Sequence, residues 1–165
     1  FTSQGMVAIS DLFSLLGSPK SKLLILPTGA ECSGSVSAFS RSLISEHVST
    51  EALLSAESLR QTPLGAALRR AAKSACAPAD ETVLAVLRRW YFARRAESGF
   101  QLHGFPRNTL QALVFDEWLE ARGEVLDACV VVGGAEGASA TAAYYRNRGI
   151  LLEVPETAAL TLSPL

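Results

Sequence analysis

Two stretches of the chain hold side chains able to do chemistry. The first is the loop Pro27-Thr-Gly-Ala-Glu-Cys-Ser-Gly-Ser35, which follows an apolar run at 23–26. Pro27 has no backbone N–H and fixes its own φ, Glu31 puts a negative charge inside the loop, and Ser35 offers a hydroxyl. The second stretch is Gly99-Phe-Gln-Leu-His-Gly-Phe-Pro-Arg-Asn-Thr-Leu-Gln-Ala112, an apolar strand that runs into Gly104-Phe-Pro-Arg107, with Gln111 four residues after the Arg. Taken on its own, Phe105-Pro106 fixes the chain as it leaves the strand. Arg107 bonds backbone carbonyls or an acid such as Asp116, and Gln111 is an ordinary helix residue. His103 closes the strand, and a lone His there is more often a satisfied structural residue than a ligand. Neither His47 nor any of Cys32, Cys76 and Cys129 stands at metal-ligand spacing with it, and no Ser–His–Asp arrangement can be argued.

These residues need elements to hold them. Apolar runs alternate with helical patterns, which is the mark of an α/β fold with a parallel sheet. Residues 6–17 read as a short amphipathic helix ending at Gly17, and Leu23-Leu-Ile-Leu26 as a fully buried strand. A helix is expected over about 35–45, a very short strand at His47-Val48, and helices over 50–57 and 62–75. Asp80 is placed to cap a helix that runs to Arg95, whose basic run Arg88, Arg89, Arg94 and Arg95 reads as a solvated face. A strand at 100–102, a helix over 108–122 stopped by Gly123, a strand at 128–132, a helix to Arg148 and a strand at 150–154 complete the pattern.

With 165 residues, 1–165 is expected to be a single domain, and 48% hydrophobic residues exclude dominant disorder. Fifteen basic residues against sixteen acidic ones give no global reason to bind nucleic acid or an anionic membrane. No apolar run approaches the roughly 20 residues of a transmembrane span. The three cysteines are read as reduced thiols of an intracellular protein, two of them buried. The start at Phe1 rather than Met suggests either that Met6 is the true start or that a targeting segment has been removed, and the second reading gives a mitochondrial location within a larger assembly.

The strand followed by Gly104-Phe-Pro-Arg107 and Gln111 resembles the signature of adenylate kinases. Four further segments resemble that family in order and spacing. They are His47-Val-Ser-Thr-Glu-Ala-Leu-Leu-Ser-Ala-Glu57, Thr62-Pro-Leu-Gly65, Ala77-Pro-Ala-Asp-Glu-Thr-Val-Leu84, and Ala143-Tyr-Tyr-Arg-Asn-Arg-Gly-Ile-Leu-Leu-Glu-Val154. The resemblance covers about residues 22–156. It implies a five-stranded parallel sheet flanked by helices, of adenylate kinase topology, with a cis bond before Pro106. Residues 50–95 would be the helical monophosphate-site segment. Arg107 would hold phosphate oxygens and Gln111 would read adenine, with Thr50 and Gly104 as further contacts.

The resemblance also implies departures. In the family's phosphate loop, Pro27 and Cys32 stand where glycines belong and Ser33 where a lysine belongs. Gly34 belongs to the same degenerate loop, and Ser35 still offers a hydroxyl at the magnesium position. His103 replaces an Asp that supports magnesium, Glu51 replaces a Gly, and Ser55 replaces a phosphate-binding Arg that Arg60 would have to replace from the next turn. The family's lid has no room between Val132 and a last helix near Glu136, so it reads as deleted. Residues 1–21 would be an N-terminal extension and 156–165 an apolar tail. The expectation is therefore a chain that is not an enzyme: an inactive, adenylate-kinase-like accessory subunit of a protein complex. It would have no resident cofactor or metal, and other protein subunits as partners. The alternatives are a sensor that binds AMP or another adenine nucleotide at Thr50, Arg107 and Gln111, and an active nucleoside monophosphate kinase with an unusual loop.

Overall fold

Apolar side chains on successive residues bury a strand on both faces, and such strands belong in the middle of a parallel sheet. Lys22–Ile25 (β1) is buried along its whole length. The computed structural model describes residues 18–26, 45–132 and 139–154, and in it β1 is the central strand of five. The others are Glu46–Ser49 (β2), Phe100–His103 (β3), Ala128–Val132 (β4) and Leu151–Val154 (β5). Their order is β2-β3-β1-β4-β5 and every pairing is parallel, with Leu24 opposite Leu102 on one side and Cys129 on the other. This is the expected α/β fold.

The helices are Thr50–Ser58 (α1), Pro63–Lys73 (α2), Asp80–Ala93 (α3), Thr109–Arg122 (α4) and Ala140–Asn147 (α5). Four of them begin on a side chain that accepts a backbone N–H of the first turn: Ser49 for α1, Thr62 for α2, Asn108 for α4 and Ser139 for α5. Gly123, at φ +66°, closes α4 in the left-handed conformation that glycine adopts without strain. The connection from β4 to α5 comprises residues 133–139 alone, too short for an inserted lid. The helix expected at 6–17, the helix over 35–45, the loop from Pro27 to Ser35 and the tail at 156–165 lie outside the described residues.

An aromatic cluster fills the space between α3, α4 and the sheet. Phe115 is fully buried at its middle, with ring centroids 5.5 Å from Tyr91, 5.6 Å from Phe105 and 5.7 Å from Trp118. Below the cluster the Glu124 carboxylate accepts from the Tyr91 hydroxyl, the Arg94 guanidinium and the Glu97 N–H. Arg94 also lies over the Tyr91 and Phe100 rings, 4.3 and 4.8 Å from their centroids.

Two expectations need correction here. Arg94 is drawn into an ion pair with the buried Glu124, and Arg89 pairs with the buried Glu57, so the basic run is not simply a solvated face. The charges alternate between neighbours on different elements, which sequence spacing along α3 does not reveal. Asp80 does not cap α3: it is the first helical residue, Ala79 holds the cap position without a side-chain bond, and the Asp80 carboxylate turns to α4. Cys76 is exposed and Cys129 buried, both free, and burial pushes the Cys129 thiol well above its ordinary value. Iodoacetamide is accordingly expected to alkylate Cys76 in the native protein and Cys129 only after unfolding. Peptide mass mapping checks this, and equal native labelling of both is the contrary result.

Candidate functional site

In parallel sheets ligands bind at the carboxyl ends of the strands. A cleft of about 570 Å³ opens there, beyond β2 and β3. Its walls are the start of α1, the segment Ala77-Pro78 with the start of α3, and the turn after β3 leading into α4. The size suits a nucleotide-sized ligand. Another hollow, of about 540 Å³, lies by the second half of α4; four acids, Asp116, Glu117, Glu120 and Glu124, line it with Arg148, which pairs with Asp116.

Thr50, Gly104, Arg107 and Gln111 all line the cleft, so the structure brings together the four residues expected on this side. Thr50 follows directly from the Ser49 cap, which turns the chain from β2 into α1. Gly104 has φ +89°, and a Cβ on it would lie 3.5 Å from the Thr50 Cβ, in the space between the two walls. The peptide bond between Phe105 and Pro106 is cis, as expected.

Gln111 is not an ordinary helix residue. Its side chain is buried; Oε1 accepts the Arg107 N–H at 2.8 Å and Nε2 donates to Asp80 Oδ1 at 3.0 Å. Asn108 caps the same helix through Oδ1 and donates from Nδ2 to the same Asp80 oxygen at 3.0 Å. One carboxylate thus ties the start of α3 to the start of α4 and orients the Gln111 amide. An amide oxygen accepts two bonds and an amide nitrogen donates two, so Gln111 keeps one of each in reserve.

Arg107 is exposed, and its guanidinium has no ion pair or hydrogen bond among the described residues. The expected partner Asp116 is instead engaged by Arg148, at 3.2 Å, and by the Tyr144 hydroxyl. Arg60 does not enter the cleft; it sits 3.7 Å from Glu57 and lines a separate hollow beside α3. Glu51 and Ser55 do line the cleft, so α1 supplies no cation to it. Two further features escaped the sequence. His103 is not a satisfied structural residue, because its Nε2 is buried without a partner among the described residues; the same holds for Thr50 Oγ1. His47 and His103 also lie ring to ring, 6.2 Å apart at 29°. The signal for the pair was the parallel register: His47 faces Gln101, two residues before His103, and residues two apart share a sheet face. Among the described residues no group of three or more His, Cys, Asp and Glu side chains is placed to hold a metal ion.

A five-stranded, all-parallel sheet with helices on the crossovers that the described residues cover, and a cleft at its carboxyl edge, defines an α/β fold of the P-loop kinase type. The chain is adenylate kinase-like. It is similar to the adenylate kinase of Streptomyces coelicolor, 35% identical over 106 residues that cover 64% of this chain and 49% of that protein. It is also similar to the adenylate kinase of Moorella thermoacetica, 32% identical over 108 residues covering 66% of this chain and 50% of the relative. Adenylate kinase 4 of Arabidopsis thaliana is 33% identical over 81 residues, 49% of this chain and 33% of the relative. The chain spans about half the length of the first two relatives. No protein-family model matches it.

The relatives correct the expectation that the chain is not an enzyme. They carry the name of an enzyme. That expectation rested on the loop residues Pro27, Glu31, Cys32, Ser33, Gly34 and Ser35, which lie outside the described residues, on His103 in place of an Asp, and on the missing lid. Residue identities in a loop do not define the electrostatics of a site whose other cations can come from elsewhere in the fold. No helix of the described residues is long and apolar enough to cross a membrane.

Proposed function

We propose that the cleft at the carboxyl ends of β2 and β3 binds adenosine monophosphate, as the acceptor of the kinase reaction for which the relatives are named. The observation that carries this reading is the pairing of an unengaged guanidinium, Arg107, with a fixed amide, Gln111, on the wall of one cleft. A guanidinium without an internal partner is suited to phosphate oxygens, which it meets with paired N–H donors. The donor and acceptor left on Gln111 complement the adenine edge, which offers an amino group beside a ring nitrogen. Thr50 Oγ1 adds a hydroxyl that lacks a partner among the described residues. Leu54 and Val83 supply the apolar surface that a base needs.

The test is calorimetry with AMP on the wild-type chain and on Arg107→Ala. Loss of a hydrogen bond to a charged group is worth about 1.5–3 kcal/mol, so the variant should bind AMP roughly ten- to a hundredfold more weakly. Adenosine should bind both proteins alike. No heat with AMP at millimolar concentration removes the reading, as does equal AMP affinity of the two proteins.

A further inference from the structure

His103 is left without a role by the reading above. It ends β3, lines the cleft, and its Nε2 is shut off from solvent with no hydrogen-bond partner among the described residues. Such an atom is costly to leave unpaired, and a ligand that reaches it relieves that cost. Around the imidazole stand His47 from β2, Glu51 from α1 and Arg107 from the turn after β3. Arg107 is the one Lys or Arg among the described residues lining the cleft, which also holds the carboxylates of Glu51 and Asp80. A phosphate monoester carries close to two negative charges near neutral pH, so Arg107 alone leaves it under-compensated.

We propose that His103 contacts the phosphate of the bound nucleotide, its Nε2 and the Arg107 guanidinium together forming the phosphate end of the cleft. The proposal rests on the AMP reading. Its consequence is a proton. Burial holds the free His103 below the usual histidine value, with His47 and Arg107 pushing in the same direction and Glu51 opposing them. The free imidazole is therefore neutral at physiological pH. A dianion placed against Nε2 favours the charged form. Binding then draws a proton onto His103, and affinity falls as pH rises from below the free value through the bound value, by at most about tenfold per pH unit. Part of the charge that phosphate binding needs is thus taken from solvent at the moment of binding.

The experiment is calorimetry of the full chain at about pH 7.5, where a phosphate monoester is almost wholly dianionic. Titrations are run in two buffers of very different ionisation enthalpy, with AMP and with adenosine as ligands. Wild type should take up a measurable fraction of a proton with AMP and none with adenosine. His103→Gln keeps a donor near the Nε2 position but cannot titrate. It should abolish the uptake and weaken AMP binding roughly threefold to tenfold, with adenosine binding unchanged. His47→Gln should retain the uptake. AMP binding by wild type with no buffer dependence overturns the proposal and leaves the AMP reading standing, as does uptake that survives in His103→Gln. Absence of AMP binding by wild type overturns both. The wild-type buffer comparison needs no variant, so a misfolded substitution does not blunt the test.

Discussion

Glu124→Ala is expected to lower folding stability by about 3–5 kcal/mol, the usual cost of removing one partner from a buried ion pair. The carboxylate is buried, and three donors converge on it: the Tyr91 hydroxyl, the Arg94 guanidinium and the Glu97 N–H. Truncation leaves all three facing a hole, and Arg94 keeps its charge in a place where only 9% of its side chain meets solvent. Urea unfolding measures the loss, and a change below about 1 kcal/mol would contradict it. The pH dependence has a definite sign. Burial alone would raise the Glu124 carboxyl, but the bonds from Tyr91 and Glu97 and the charge of Arg94 outweigh it and hold the group below the usual carboxylate range. A lowered native pKa contributes stability in full above the unfolded value, about 4.5, and loses it as pH falls through the folded value. The gap between wild type and variant should therefore be flat from neutral pH down to about 5 and close below that. A gap that widens in acid would contradict the assignment.

Phe115→Ala should cost a similar amount, about 3–5 kcal/mol, because a fully buried aromatic leaves both lost transfer energy and a cavity. It should also reach the cleft. Phe115 packs edge-on against Phe105, which lies two residues before Arg107 in the turn that lines the cleft. Weaker AMP binding by Phe115→Ala at temperatures where the variant is still folded is the expected signature. Phe115→Leu, which refills most of the volume, should recover much of both losses. Equal AMP affinity of wild type and the Ala variant would show that the aromatic cluster supports the fold without holding the turn.

The sheet was legible because a buried parallel strand has a local signature. Leu-Leu-Ile and Cys-Val-Val-Val have no polar face to present, so the element type follows from four or five residues. A stop such as Gly123 is equally local. What the residues of one segment do not disclose is their partner in another. Asp80 carried the chemistry of a cap, and only the approach of α4, 28 to 31 residues onward, gives its oxygen two better donors. Arg94 belonged to a basic run along α3, and only the fold brings Glu124 beneath it. Of the site, Gly104, Arg107 and Gln111 were readable because a signature joined them, and Thr50 because a second segment resembles the same family. The unpaired Nε2 of His103 was not, since an orphan atom is defined by what fails to surround it.

The position of β1 has a consequence for how the chain is made. The strand at 22–25 is synthesised well before both of its neighbours, residues 100–103 and 128–130. The ribosome adds roughly 5–20 residues per second, so the Leu23–Ile25 segment waits several seconds with both edges open before either neighbour emerges. Such an apolar, unpaired ribbon is a ready template for another chain. Nascent chains arrested short of Ala128 should therefore be the ones that chaperones retain and that precipitate when released.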